Sequence, residues 1–143
     1  MNDLRIVIPG HPVPKQRPTV ETVQHARCGG NGCLECKGKG WAKKVQTGKR
    51  SRGYAVIVRS AAHQAVALAS EWKSSPTDHF VLKLVAWFEN PDKRGDIDNV
   101  VKAVSDGLNG IAWPDDRQVI ELHAWARVDA AKPRVEVLVR RVA

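Results

Sequence analysis

Cysteine is scarce in this chain of 143 residues, and its three copies lie close together, at Cys28, Cys33 and Cys36. An odd number of thiols cannot pair completely within one chain, so a disulfide framework is excluded as the main support of the fold. In a reducing compartment, clustered thiols are more typical of metal binding than of disulfides.

Long hydrophobic runs are also missing, because no stretch approaches the roughly 20 apolar residues that cross a bilayer. The first residues include an acid, Asp3, and their apolar run stops at Pro9 and Gly10, unlike the long apolar core of a signal peptide. We therefore expect a cytoplasmic protein with no membrane partner.

Acidic residues are few: 15 Asp and Glu stand against 23 Lys and Arg, which gives a net charge of +8. No acid occurs between Glu35 and Glu71, an interval that is rich in Lys and Arg. This balance favours an acidic partner, and nucleic acid is the commonest one. A basic surface that only keeps the protein soluble is the alternative at this stage.

Apolar periodicity predicts an α/β (α+β) fold, with residues 1–143 forming a single domain around a mixed β-sheet and two main helices. The predicted order is strand, insertion, helix, strand, helix, strand, strand. The second helix has Asp96 as its predicted N-cap, and the nearly continuous apolar run before it predicts a central strand. The predicted elements are strands over 4–8, 79–88, 118–128 and 134–141, helices over 54–72 and 97–108, and a hairpin loop over 129–133.

The segment of about 19–53 is interpreted as a basic insertion, because large aliphatic residues are few there and glycines break any regular pattern. A flexible basic segment suits contacts with DNA phosphates, although a solvated, mobile loop is the alternative. The candidate DNA-contacting residues in this segment and in the neighbouring loops are Lys15, Arg17, Lys43, Lys44, Lys49, Arg50, Arg52 and Arg94.

Four of the few acids form two tight pairs, Asp96 with Asp98 and Asp115 with Asp116. Carboxylate oxygens are the ligands that Mg²⁺ prefers, and repulsion between neighbouring carboxylates calls for a cation or a metal. Lys102 lies four residues after Asp98, on the same helical face, where it can pair with Asp98 or reach a phosphate. The neighbouring amide of Asn99 supplies a neutral ligand or a phosphate donor.

The second acidic pair contributes at most one direct ligand if its segment is extended, because adjacent side chains then point to opposite sides. We favour Asp116 as the metal ligand and Asp115 as its support. The two pairs are expected to share a single edge of the sheet. The alternative is that Asp96 only caps a helix and the second pair only forms a turn.

The motifs Asp96-Ile97-Asp98-Asn99-Val100-Val101-Lys102 and Trp113-Pro114-Asp115-Asp116-Arg117-Gln118-Val119 resemble those of the RusA family of Holliday-junction resolvases. The opening Ile8–Pro18 segment, rich in proline and basic residues, is similar to the start of that family. The resemblance covers residues 4–18 and about 54–141.

The resemblance implies a homodimeric endonuclease that uses Mg²⁺, with Mn²⁺ as a possible substitute, to cut branched DNA. Its substrate would be the four-way junction, resolved by paired symmetric nicks during recombination and repair. The aspartates that correspond to the family's metal ligands are Asp96, Asp98 and Asp116, and the corresponding catalytic lysine is Lys102. A two-fold dimer can present one acidic site to each of two strands of a two-fold junction.

Together with one histidine, the three cysteines form two closely spaced pairs of candidate metal ligands, His25 with Cys28 and Cys33 with Cys36. A Cys₃His set suits tetrahedral Zn²⁺, and a closed set of four protein ligands would make that zinc structural. His25 is the most replaceable of the four, with His11 or His63 as substitutes. The alternative is three reduced cysteines in a loose loop.

Two other functions are compatible with these patterns. In one, the chain is a non-catalytic, zinc-containing DNA-binding module in which the acids are structural. In the other, it is a nuclease of broader specificity for branched DNA, such as flaps or forks. Dependence of junction cleavage on Mg²⁺ separates the enzyme from the binding module.

Overall fold

The computed structural model describes residues 2–24, 28, 32, 34 and 37–142. The chain divides into two compact units, one formed by Met1–Lys15 with Arg50–Ala143 and the other by Gln16–Lys49. Within the described residues, no helix combines the length and the apolar character needed to cross a membrane.

The larger unit contains β1 (Asp3–Pro9), α1 (Lys49–Leu68), β4 (His79–Phe88), α2 (Ile97–Leu108), β5 (Val119–Val128) and β6 (Arg134–Val142). Its strands form one mixed sheet in the spatial order β1-β6-β4-β5. β6 pairs antiparallel with both β1 and β4, whereas β4 and β5 run parallel. The predicted fold class is confirmed: one mixed sheet and two main helices.

One face of this sheet carries the hydrophobic core, because alternate residues of each strand point to the same side. The core joins those strand residues to apolar residues that recur every three or four positions on both helices. The two helices meet at Gly107, where an added Cβ would lie only 2.4 Å from Cγ1 of Val58. The core residues of the helices are Tyr54, Val58, Ala62, Val100, Val101, Val104 and Leu108.

The predicted bounds of β4 and α2 are confirmed, and β4 is central, as its apolar run indicated. Asp96 is the N-cap residue of α2 by position, but its side chain makes no capping hydrogen bond. α1 begins and ends several residues earlier than its apolar pattern predicted, since the basic residues from Lys49 onward are helical.

The predicted hairpin between the last two strands is wrong. β4 lies between β5 and β6, and the backbone N–H of Asp129 donates a 2.8 Å hydrogen bond to the carbonyl oxygen of Phe88. Alternation identifies a strand but not its partner. β5 follows a helical crossover from β4, a connection that places two strands parallel to each other.

The smaller unit contains a two-stranded antiparallel sheet of β2 (Thr19–Gln24) and β3 (Trp41–Gln46), in which Thr19 faces Gln46 and Gln24 faces Trp41. The expectation that glycines break all regular structure in this segment is therefore wrong. β2 is rich in β-branched residues and contains no glycine, which favours an extended strand. The assignment of about 19–53 as an insertion into a single domain stays a prediction.

Candidate active site

The first half of the site lies where the chain enters α2. The preceding loop contains a short 3₁₀-helix at Pro91–Lys93, in which the side chain of Asn90 accepts a 2.9 Å hydrogen bond from the backbone N–H of Lys93. Asp96 and Asp98 are both exposed, and the amide of Asn99 lies 3.4 Å from Oδ2 of Asp96. The positive end of the helix dipole favours negative charge at this position.

Neither Asp96 nor Asp98 forms an ion pair with any described residue, although Lys102 is one turn further along the exposed side of α2. The structure therefore leaves two carboxylates and an ammonium group facing solvent at one helix start. The roles of these three groups toward a cation and a phosphate stay predictions.

The proline-rich loop after β1 packs against this same helix. The backbone N–H of Lys15 donates a 3.0 Å hydrogen bond to the carbonyl oxygen of Asn99, and its ammonium group forms an ion pair with Asp106. A side chain at position 95 would clash with this loop, because a Cβ added to Gly95 would lie 2.3 Å from Cγ of Pro14. The loop thus helps to set the direction in which the chain approaches Asp96.

Lys15 was assigned from sequence to DNA contact, whereas in the structure its ammonium group faces Asp106. Sequence reasoning missed this pair because the two residues lie 91 positions apart. Among the other candidate DNA contacts, the structure leaves the side chains of Arg17, Lys49, Arg50, Arg52 and Arg94 exposed. The side chains of Lys43 and Lys44 lie outside the described part, and their DNA contacts stay predictions.

The second half of the site is a 3₁₀-helix, Asp116–Gln118, and not the extended segment considered from sequence. Asp115 caps it: its carboxylate accepts a 2.8 Å hydrogen bond from the backbone N–H of Arg117. Its own N–H donates to the side chain of Gln118 at 3.0 Å, which completes a capping box. Asp115 is therefore built into the turn.

The Arg117 guanidinium reinforces this role of Asp115. Its Nε and Nη2 donate hydrogen bonds to the Asp115 carboxylate at 3.1 and 2.9 Å. The hydrogen bonds from Arg117 lower the pKa of Asp115 to about 2, so this carboxylate is ionised at neutral pH. Gln118, which is nearly buried, donates 2.8 Å hydrogen bonds to the carbonyl oxygens of Ser75 and Asp78 and so ties the turn to the segment before β4.

Asp116 is held in a different way. Its Oδ1 accepts a 2.7 Å hydrogen bond from the indole Nε1 of Trp113, which is only 1% exposed. Trp113 packs against Phe80 with ring centroids 6.1 Å apart. A buried ring therefore orients one oxygen of a half-exposed carboxylate.

The two halves lie at opposite ends of α2. Trp113 forms an isolated β-bridge with Asn109, the C-cap residue of α2. Asp96 and Asp98 lie at the N-terminal end of the same helix. A helix of 12 residues is about 18 Å long. Accordingly, the described residues contain no group of three or more His, Cys, Asp or Glu side chains that could hold a metal ion.

The expectation that one sheet edge carries both acidic pairs is therefore wrong within a single chain. The chain leaves β4 at one end of the sheet, and because β5 is parallel to β4, it enters β5 at the other end. The crossover helix spans the distance between them. The assignment of Asp96, Asp98 and Asp116 as metal ligands stays a prediction.

The predicted zinc ligands lie mostly outside the described residues, which include Cys28 but not His25, Cys33 or Cys36. Of the two substitutes for His25, His63 is exposed on α1. The ring of His11 packs edge-on against Phe88, with centroids 5.8 Å apart. The zinc prediction is thus left open by the described residues.

Comparison with known proteins adds two similarities. Residues 9–140 match the family model described as endodeoxyribonuclease RusA. A stretch of 52 residues is 42% identical to the uncharacterized protein YqaN of Bacillus subtilis (strain 168) and covers 36% of each chain. The family match extends from the proline-rich loop through both acidic motifs and nearly to the end of β6, so this chain belongs to the RusA endodeoxyribonuclease family.

Proposed function

We propose that this protein is a Mg²⁺-dependent endonuclease that resolves four-way DNA junctions by paired symmetric nicks in recombination and repair. The observation that carries the proposal is the exposure or fixed orientation of three aspartates in a chain of this family. Asp96 and Asp98 face solvent without an ion pair to a described residue, and Asp116 is oriented by an indole. A basic protein that leaves these carboxylates open has the oxygen donors that Mg²⁺ or Mn²⁺ requires.

The donor set fits a hard divalent cation, with Asp96, Asp98 and Asp116 as its ligands. When bound, the metal would activate a water molecule and stabilise the leaving oxygen of the phosphodiester. The chain's own contribution is placement. The Trp113 indole orients Asp116, and Lys102, one turn after Asp98, would hold the scissile phosphate by its charge.

The homodimer is part of this proposal. Within one chain, the helix α2 separates Asp116 from the other two ligands, so a second copy would be needed to complete each ligand set. A two-fold dimer would also match the two-fold symmetry of a four-way junction and would deliver two nicks. Exposed Arg17, Arg50, Arg52 and Arg94 would bind the DNA phosphates.

The test is incubation of the purified protein with a synthetic four-way junction, with Mg²⁺ or with a chelator, followed by a denaturing gel. We expect symmetric nicks in two strands with Mg²⁺ and none with chelator. Flap and fork substrates of the same arm sequences, run in parallel, distinguish a junction resolvase from a nuclease of broader specificity. Junction binding without cleavage under any divalent metal would favour the non-catalytic module instead.

A structural Zn²⁺ held by His25, Cys28, Cys33 and Cys36 is proposed separately, on the spacing of these residues in a segment with few large aliphatic side chains. Metal analysis of the purified protein should find about one zinc per chain. Cys28→Ser should lower the zinc content. A wild-type protein without zinc would contradict the proposed zinc site. We also propose a cytoplasmic location, because these thiols would stay reduced in that compartment.

A further inference from the structure

One face of the main sheet carries the core, and the opposite face, which we call the outer face, carries the alternate residues of the same four strands. The strand registers align these residues in rows that cross the sheet. From β1 to β5, one row is Arg5, Leu138, Lys83 and His123, and the next row is Val7, Glu136, Val85 and Trp125. A mainly basic row thus lies beside a mainly apolar row.

Residues of these two rows line a groove with a cavity volume of about 330 Å³, which is in the size range of ligand sites. Its apolar lining includes Val7, which is 56% exposed, and Trp125, which is 37% exposed. Exposed apolar side chains that are grouped in this way mark interaction surfaces, whereas single ones do not. None of the three proposed metal ligands lines this groove, so it is a different surface from the acidic motifs.

The outer face has more basic groups than its acids can pair. Each acid of the four strands contacts a basic neighbour, and the pairs are Glu136 with Arg134, Asp3 with Arg140, and Glu121 with His123. By contrast, Arg5, Lys83 and Arg127 form no ion pair with a described residue. Three positive charges on this face are therefore open to an anionic partner.

The indole of Trp125 is oriented by its neighbours on β5. Its ring stacks on the imidazole of His123, with centroids 5.9 Å apart and an interplanar angle of 11°. The imidazole is in turn hydrogen-bonded to the carboxylate of Glu121. The other tryptophan of this face, Trp87, has the guanidinium of Arg134 over its ring, 4.9 Å from the centroid. Trp125 is therefore the indole of this face that can stack on a further flat ring.

We propose that the outer face is a binding site for single-stranded nucleic acid, separate from the acidic motifs. A nucleotide combines a flat base with an anionic phosphate, and the groove combines an indole with basic side chains. Because Lys83 faces His123, Lys83 and Trp125 are diagonal neighbours on adjacent strands, and one nucleotide can contact both. An unpaired strand presents the flat faces of its bases to an aromatic ring, whereas a duplex keeps them stacked on each other.

An acidic peptide with apolar side chains is the other class of ligand that this combination of groups suggests. Aliphatic side chains alone would serve such a peptide, and it would gain little from an indole. The exposed ring of Trp125 beside the ammonium group of Lys83 favours a base and its phosphate instead. Binding measurements with both kinds of ligand therefore decide between them.

The first experiment measures binding of the purified protein to a fluorescent thymidine oligonucleotide of about ten nucleotides by anisotropy, with a chelator present. We expect saturable binding that weakens as the salt concentration rises. An abasic oligonucleotide of the same length carries the same charge without bases, and it should bind at least about fivefold more weakly. Equal affinity for the two oligonucleotides, or no binding of either, would overturn the proposal.

Substitutions of Trp125 test the stacking. Trp125→Leu keeps an apolar side chain but removes the ring, so the affinity for the thymidine oligonucleotide should fall at least about fivefold. Trp125→Phe keeps a smaller ring and should retain part of that affinity. Binding should also quench the indole fluorescence of the wild-type protein, and most of this quenching should be missing in Trp125→Phe. Wild-type affinity in a folded Trp125→Leu variant would overturn the site.

Arg5→Gln and Lys83→Gln test the charges independently of the ring. Each should lower the slope of the logarithm of the affinity against the logarithm of the salt concentration by about 0.7, the value for one phosphate contact with a single strand. Arg59→Gln is the matched control, because Arg59 is exposed on α1, on the core side of the sheet, and it should leave the slope unchanged. Thermal melting verifies that each variant is folded. Equal changes of slope in all three variants would overturn the site.

A peptide of alternating aspartate and leucine is the probe for the other class of ligand. Tighter binding of this peptide than of the thymidine oligonucleotide would overturn the assignment to nucleic acid and would favour an acidic protein partner. All of these measurements are made without a divalent metal and do not depend on cleavage. They therefore decide the outer-face site whether or not the protein cuts a junction with Mg²⁺.

Discussion

The indole Nε1 of Trp113 donates a 2.7 Å hydrogen bond to Oδ1 of Asp116. Because the Trp113 ring is buried against Phe80, this bond holds the carboxylate in a fixed direction while Asp116 remains half exposed. The relationship connects the hydrophobic core directly to a proposed metal ligand. It assigns Trp113 a positioning role that its apolar character alone would not indicate.

Trp113→Phe should keep most of the packing of the ring but lose this hydrogen bond. We expect cleavage to fall by roughly tenfold or more, with a stability loss of about 0.5–1.5 kcal/mol, the net value of one hydrogen bond. Trp72→Phe is the control, because the Trp72 indole donates a comparable 3.1 Å hydrogen bond to the carbonyl oxygen of Ala112. Equal losses of the Mg²⁺-dependent cleavage rate in the two variants would argue against a positioning role.

Asp96→Asn and Asp116→Asn should each abolish cleavage while leaving junction binding intact or tighter. Neutralising a carboxylate removes a metal ligand and also removes repulsion toward the DNA phosphates. Gel-shift binding without divalent metal and nicking with Mg²⁺ measure the two effects separately. Wild-type nicking in either variant would contradict the assignment of that residue.

Asp115 should behave differently, as part of the turn. The hydrogen bonds from Arg117 lower the pKa of Asp115 from its ordinary value of 3.8 to about 2. A carboxyl group whose pKa is lower in the folded than in the unfolded protein stabilises the fold when the pH is above the pKa of the unfolded state. Asp115 therefore loses its contribution to stability as the pH falls from 3.8 to about 2.

Asp115→Asn should therefore lower the melting temperature at neutral pH, and the difference from wild type should shrink as the pH approaches 2. Thermal melts across that range measure it. Arg117→Gln should give a similar profile, and the double variant should lose little more than either single one. A constant difference between pH 7 and pH 2 would mean that the ion pair is not the source of the stability.

Gly107 should tolerate no side chain. An added Cβ would lie 2.4 Å from Cγ1 of Val58, so Gly107→Ala forces the two helices apart and should cost about 1–3 kcal/mol. Gly53 in α1 is the matched control, since nothing lies within 4 Å of a Cβ built there. Gly53→Ala should stabilise by up to about 1 kcal/mol through helix propensity, and chemical denaturation of both variants measures the contrast.

The sequence by itself determined the four strands of the main sheet, its two helices and the gathering of the acids into two motifs. The bounds of β4 and α2 follow from periodicity, because alternation and helical spacing are written into neighbouring residues. The gathering of scarce acids around Asp96 and Asp116 in a basic chain indicated a metal-dependent function before any contact was known. The position of Asp96 at the start of α2 was predictable for the same local reason.

Only the tertiary structure decided which strands are neighbours. Strand pairing depends on contacts between distant residues, so alternation alone did not show that β4 separates β5 from β6. The parallel pairing of β4 with β5 requires a crossover, and that crossover is α2, which carries Asp98 at one end and approaches Trp113 at the other. Tertiary structure therefore placed the two acidic motifs a helix length apart and made β5 the last strand of the sheet among the described residues.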